Sequence, residues 1–144
     1  MTIGGHCIKH WSKTQSTVSL SSGEAELHGI GSAISQGLGL QAICRDLGFE
    51  YEVRVHSDAT AAIGIARRRG LGKVRHLDCT DLWIQEKVRS RSVHLAKILG
   101  TENPADILTK YVDRGLMEKA LAKLNLRFAT GRPKCAPAAM GLSQ

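Results

Sequence analysis

The feature that most constrains this chain is a capped apolar stripe beginning at Ser21. Ser21 and Glu24 fit the S-x-x-E capping box, in which each side chain satisfies a backbone N–H that the first helical turn leaves open. Leu27, Ile30, Ile34 and Leu38 follow at intervals of three or four, so one face of a long helix is apolar and must be buried. Gly29, Gly31, Gly37 and Gly39 lower the intrinsic helix propensity of the same segment. They make sense if this helix lies close against a sheet. Gly48, after Leu47, is placed to end it.

The neighbouring segments supply the sheet. Tyr51 to His56 (YEVRVH) and Ser92 to Leu99 (SVHLAKIL) read as strands. Upstream, Ile3 to Trp11 carries a weaker strand signal and Thr14 to Leu20 (TQSTVSL) alternates. These two are close enough for a hairpin turning near Ser12-Lys13. Ser57-Asp58 opens a helix through Arg69, with Ala62, Ile63 and Ala66 inside, ended by Gly70 and Gly72. A further helix is expected over Val74 to Arg89, with Leu77, Leu82, Ile84 and Val88 toward the core. Asn103-Pro104 gives an N-cap followed by proline at the first helical position. Gly115 to Leu124 is the last amphipathic helix. Strands alternating with helices indicate an α/β domain with a mixed sheet. At 144 residues one domain is expected, over residues 1–126, with residues 127–144 a mobile C-terminal tail that holds two of the three prolines.

Aromatic residues make up 4% of the chain against 42% hydrophobic residues, so aliphatic side chains must build the core. The formal net charge of +7 favours a polyanionic partner, nucleic acid or an acidic membrane surface, although a basic protein without such a ligand has the same composition. Cys7, Cys44, Cys79 and Cys135 have no zinc-site spacing. The N-terminal residues MTIGGHCIKHW lack the apolar core of a secretory signal, and no apolar run approaches the ~20 residues of a membrane span. Free thiols in a reducing, intracellular compartment and no membrane contact are the expectation.

Three acids fall at element edges. Glu26 lies in the first turns of the long helix, Asp58 at the end of strand YEVRVHS, and Asp106 in the first turn after Asn103-Pro104. Converging on one sheet edge, they would repel one another unless a cation sat between them, and an all-oxygen set suits Mg2+ or Mn2+. Each also has a simpler reading, because an acid near a helix N-terminus is favoured by the helix dipole or serves as a cap. Arg67, Arg68 and Arg69 can grip phosphates, and equally place positive charge at a helix C-terminus, where it is favoured without a ligand. Lys73 extends the same basic surface. His56 is either a proton shuttle or a packed strand residue. Trp11 and Trp83 read as semi-buried anchors.

Four blocks resemble a known family. KTQSTVSLSSGEAELHGI (Lys13 to Ile30) is similar to the segment in which a K-x-Q-x-T-V strand leads into S-S-x-E-A-E in ribonuclease H-like domains of copia-type retrotransposon Pol polyproteins. VHSDATAAIGIA (Val55 to Ala66) resembles that family's strand ending in D-x-x-x-A-I. VRHLDCTDLWIQEKV (Val74 to Val88) resembles its K-H-I-D helix, and TENPADILTK (Thr101 to Lys110) its N-x-A-D-I-L-T-K block. The blocks stand in family order and cover about Gly4 to Leu124.

The resemblance implies a ribonuclease H fold that hydrolyses the RNA strand of an RNA–DNA hybrid during reverse transcription. It puts two-metal carboxylates at Glu26, Asp58 and Asp106, with Glu24 as the capping partner and a structural role for His76 and Asp78. It implies a reverse transcriptase portion of the same polyprotein as partner, and a cytoplasmic location that includes virus-like particles. The family carries one more metal-binding aspartate on an earlier strand, and here no Asp or Glu precedes Glu24. The expectation is therefore a domain whose first strand is missing and whose cleavage is weak or absent. The alternatives are a non-catalytic basic hybrid-binding module and a decayed retroelement fragment.

Overall fold

The computed structural model describes residues 1–15, 18–70 and 79–128. They form an α/β fold whose elements run β1 (Thr2–Ile3), β2 (His6–Cys7), α1 (Ser22–Asp46), β3 (Val53–Ser57), α2 (Thr60–Arg67), α3 (Cys79–Arg89), β4 (Val93–Lys97), two short 3-10 helices (Gly100–Glu102 and Pro104–Leu108) and α4 (Arg114–Lys123).

Helix α1 starts where the capping pattern places it. The Glu24 N–H donates to the Ser21 hydroxyl at 3.2 Å, and the Glu24 carboxylate accepts the Leu20 N–H at 2.8 Å. The return bond thus reaches one residue further upstream than in the standard box. At the other end Gly48 has φ +84°, its N–H donates to Arg45 and the Phe49 N–H donates to Cys44, both at 2.9 Å. Those two bonds make a Schellman motif, which needs a residue free to adopt a left-handed backbone.

β3 and β4 pair in parallel, in register from Val53 opposite Val93 to Ser57 opposite Lys97. One face of this pair is buried. Val55, Val93 and Leu95 meet Leu27, Ile30 and Ile34 of α1, Ala62, Ile63 and Ala66 of α2 and Ile84 of α3 in one core. Arg54, His56 and His94 are exposed on the alternate positions, as strand periodicity requires.

Two glycines of α1 set how closely it packs. A Cβ on Gly37 would stand 2.6 Å from a methyl of Val53, and one on Gly31 would stand 2.9 Å from the Cδ1 of Ile84. The close approach expected against the sheet is thus made at Gly37, while Gly31 serves a helix–helix contact. Gly29 and Gly39 meet nothing within 4 Å.

The N-terminal strands depart from expectation. The hairpin lies over residues 2–7, turning at Gly4-Gly5 with φ of +56° and +80°. A two-residue turn with both φ positive matches strand twist, and a Gly-Gly pair enters it without steric cost. No strand forms over the described part of Thr14 to Leu20, where Val18 is 88% and Leu20 71% exposed. Alternation does not make a strand where no neighbour accepts its backbone hydrogen bonds. Leu82, expected in the core, is 43% exposed, and the buried positions beside it are Asp81, Ile84 and Gln85. The helix expected from Val74 is described from Cys79, and Leu77, His76 and Asp78 lie outside the described residues, as does the tail from residue 129.

Along the edge of β3 that faces away from β4 runs a cavity of about 390 Å3, lined by Ala33, Gly37 and Leu40 of α1, by Val53 and Val55, and by Trp11. Among the described residues β3 pairs only with β4.

The glycine contacts predict opposite outcomes for two similar substitutions. Gly37→Ala should lower unfolding free energy by about 1–3 kcal/mol, because β-branched Val53 has little freedom to retreat. Gly39→Ala should raise it by up to about 1 kcal/mol through helix propensity. Urea denaturation of both variants checks this.

Candidate active site

Asp58 follows the last residue of β3. The Ser57 hydroxyl accepts the Ala59 N–H at 3.2 Å, and the Ser57 carbonyl accepts the Ile98 N–H at 3.0 Å. The turn out of β3 is therefore tied to the segment leaving β4. That segment passes close by, since a Cβ on Gly100 would come within 3.3 Å of the Asp58 Oδ2.

Asp106 sits in the second 3-10 helix. Asn103 caps it, accepting the Ala105 N–H at 3.2 Å, and Pro104 fixes its first φ. The Asn103 amide faces the Asp106 Oδ1 at a long 3.4 Å, and the Lys110 ammonium donates to the Oδ2 at 3.0 Å. The predicted cap is present, but the helix is one short 3-10 element.

Lys110 reports on the surroundings. Its ammonium is held above the usual lysine range, first by the hydrogen bond to Asp106 and the charge of that carboxylate, with Asp58 and Glu26 acting in the same direction. Acids from α1, from the end of β3 and from the second 3-10 helix thus act on a single ammonium. Only Asp106 bonds it. Among the described residues, no group of three or more His, Cys, Asp or Glu side chains is close enough to hold a metal ion. Glu26 is exposed and Asp58 half-buried, while the Asp106 side chain is 23% exposed.

The arginine run is divided in its use. Arg67 donates from Nη2 to the Leu95 carbonyl at 2.7 Å, which ties α2 to β4. The Nε and one Nη of Arg68 are buried with no hydrogen-bond partner. Arg69 is exposed. Lys73 lies outside the described residues. His56 is exposed beside Ser57. Trp83 packs half-buried against the core with the Lys87 ammonium 6.0 Å from its ring centre, and Trp11 carries Lys9 at 5.6 Å.

Two residues escaped the reading of the sequence. Lys110 lies one helical turn after Asp106, a spacing that brings side chains together and is itself a signal. Gln85 of α3 is 7% exposed and holds the end of the arginine helix. Its amide donates to the carbonyls of Ile65 and Gly70, both at 3.1 Å, and its Oε1 accepts the Gly70 N–H at 2.9 Å. A glutamine inside a charged run (QEKV) gives no hint of this.

Among the described residues no helix is long and apolar enough to cross a membrane. No protein-family model matches the chain, and no solved structure matches it. Sequence similarity does relate it to the Pol region of copia-type retrotransposons. The relative is the retrovirus-related Pol polyprotein from transposon TNT 1-94 of Nicotiana tabacum, 34% identical over 119 residues, or 81% of this chain. The chain spans 9% of that polyprotein's length.

The Gln85 clamp predicts a stability effect. Gln85→Ala leaves two part-buried carbonyls and one N–H without their partner, so it should cost about 1–3 kcal/mol in urea denaturation. Gln85→Glu should cost at least as much as the alanine, since its carboxylate accepts from Gly70 but sets a nearly buried negative charge against the Ile65 and Gly70 carbonyls.

Proposed function

We propose that this chain is part of a ribonuclease H-like domain of a retrotransposon Pol polyprotein, acting on the RNA strand of RNA–DNA hybrids. The observation that carries the reading is the place of Asp58 at the end of β3, where Gly100 of the segment leading to the capped helix of Asp106 passes it, in a chain related to a Pol polyprotein. The relation to a Pol polyprotein supports the retroelement setting, in which the reverse transcriptase of the same polyprotein is the partner and the cytoplasm, including virus-like particles, the location.

The residues suit Mg2+ or Mn2+ in donor chemistry. All three are hard oxygen donors, although among the described residues they are not gathered as a metal-holding group, and the Lys110 ammonium bonds one of them, Asp106. Divalent cations held there would activate a water and stabilise the leaving 3′ oxygen. Within the chain itself, Asp58 is fixed by the Ser57 turn and Asp106 by its Asn103 cap, so both can hold a ligand without first ordering their own backbone. Arg69 and Lys73 are the basic residues suited to a phosphate backbone. Arg67 is committed to Leu95, and it reads as a structural anchor more than as a phosphate contact.

The cavity beside β3 supports the other half of the reading. A two-stranded parallel sheet is small for its class, which is normally covered and extended on both sides. A further strand along the free edge of β3 would fill the cavity and bring its side chains up to the end of β3 where Asp58 lies. A second reading, a basic module that holds a hybrid without cutting it, draws on the spacing of the acids, which are not in contact as a metal cluster, and on the net charge of +7.

Metal binding separates the two. Mn2+ should raise the melting temperature of the chain, because binding to the folded form alone stabilises it. Asp58→Asn and Asp106→Asn should remove that rise. Cleavage of a labelled RNA–DNA hybrid in Mg2+ should be slow or undetectable. A melting temperature indifferent to Mn2+, with hybrid binding that weakens steeply with salt, would replace the nuclease reading with the binding module.

A further inference from the structure

We propose that the edge of β3 facing away from β4 is a docking slot for an extended, uncharged, apolar segment of a second polypeptide, which adds to the sheet as a strand. This goes beyond the nuclease reading, since it needs neither the acids nor a metal.

The lining of the cavity beside β3 gives its shape. Val53, Arg54, Val55 and His56 of β3 all border it, as do Tyr51 and Glu52 before them. Successive residues of a strand point to opposite faces, so a space that meets such a run runs along the strand edge and not over one face. At roughly 3.3 Å per residue the run is about 20 Å long, the length of an ordinary strand. Among the described residues only β4 pairs with β3, along the opposite edge. The backbone groups of an unpaired edge are a template for another strand.

The walls decide what fits. Helix α1 contributes Ala33, Gly37 and Leu40, the second 3-10 helix contributes Leu108, and the end of α4 contributes Leu124. A strand among apolar groups from three elements is buried, and a buried strand of a parallel sheet is a continuous apolar run. Two side chains on the lining carry formal charge, Arg54 and Glu52, and they pair with each other at 3.0 Å. A charged residue entering the slot would lose its water without gaining a partner, which is costly. Beyond the start of β3 the apolar surface continues, because Phe49 stacks on Tyr51 with ring centres 6.4 Å apart and both are exposed.

Cys7 and Cys44 border the cavity and exposed Cys79 does not, so their thiols report on its filling. The probe is a blocked peptide of about six valines and isoleucines between lysine ends, the length of a common strand. Its control carries proline at every second position and so lacks alternate N–H donors. Mixed with the full chain at about ten times its half-saturating concentration, the first peptide should slow iodoacetamide alkylation of Cys7 and Cys44 about tenfold by mass action. Cys79, read separately by mass spectrometry, should react as before. Hydrogen exchange over residues 53–57 should slow as well, and the proline peptide should change neither. Exchange over residues 53–57 that ignores the first peptide overturns the proposal, whatever the thiols show. Equal effects from the proline peptide also overturn it, since apolar adhesion then suffices. Slowing of both thiols with rising chain concentration alone makes a second copy the occupant and overturns the separate segment. The Mn2+ response of the chain bears on none of these results.

Discussion

The structure depends on the contact between one face of α1 and the buried face of the β3–β4 pair. Leu27 and Ile34 are fully buried there and Ile30 nearly so. Each contributes about 1.5–3 kcal/mol by leaving water. The N-terminal hairpin meets the end of α4 separately, where the Cys7 N–H donates to the Leu124 carbonyl at 3.3 Å. β3 and β4 are separated in sequence by α2 and α3, which pack against β4 while α1 packs against β3, so the three helices together hold the pair against a common core. The glycines of α1 matter for the same reason. Gly37 lets the helix backbone come down onto Val53, and Gly31 lets α3 approach through Ile84. A face built with larger residues would stand further off and leave Val55 and Leu95 under-packed.

That contact also decides where the acids fall. Glu26 is one residue before Leu27, so the burial of Leu27 fixes Glu26 near the N-terminal end of α1. Asp58 is one residue after Ser57, which closes β3. Parallel pairing sends the chain out of β4 at the same end, so Gly100 passes Asp58 and the capped 3-10 helix delivers Asp106 nearby. Parallel strands present all their C-terminal ends on one side, and this is why the segment leaving β4 passes Asp58 at Gly100.

How much of this is legible in the sequence varies with the range of the signal. Local signals read well. The Ser21 cap, the Gly48 stop, the Asn103 cap and the two strands of the core are each determined by a few neighbouring residues. Signals that depend on a partner read poorly. Thr14 to Leu20 alternates as a strand should, yet its fate is set by whether another strand lies beside it. Gly4-Gly5 is a strong turn signal, and the hairpin forms on it rather than near Ser12-Lys13. Leu82 was assigned inward by periodicity, whereas the buried stripe of α3 runs through Asp81, Ile84 and Gln85. A buried acid and a buried amide on that stripe cannot be told from solvent-facing ones without knowing that Gly70 and Ile65 stand opposite. The site is similar. The three candidate acids stand out through their neighbours and a family likeness, and Lys110 through its place one helical turn after Asp106.

The remaining tension is between the acids and the rest of the chain. A net charge of +7 draws a polyanion toward the surface, while an acidic group at the end of β3 repels a phosphate locally. A chain with both properties holds a nucleic acid over its acidic group only if a cation bridges the two. Beside Asp106 the described residues place one such cation, the Lys110 ammonium, and no group of three or more acids is placed to hold a metal there.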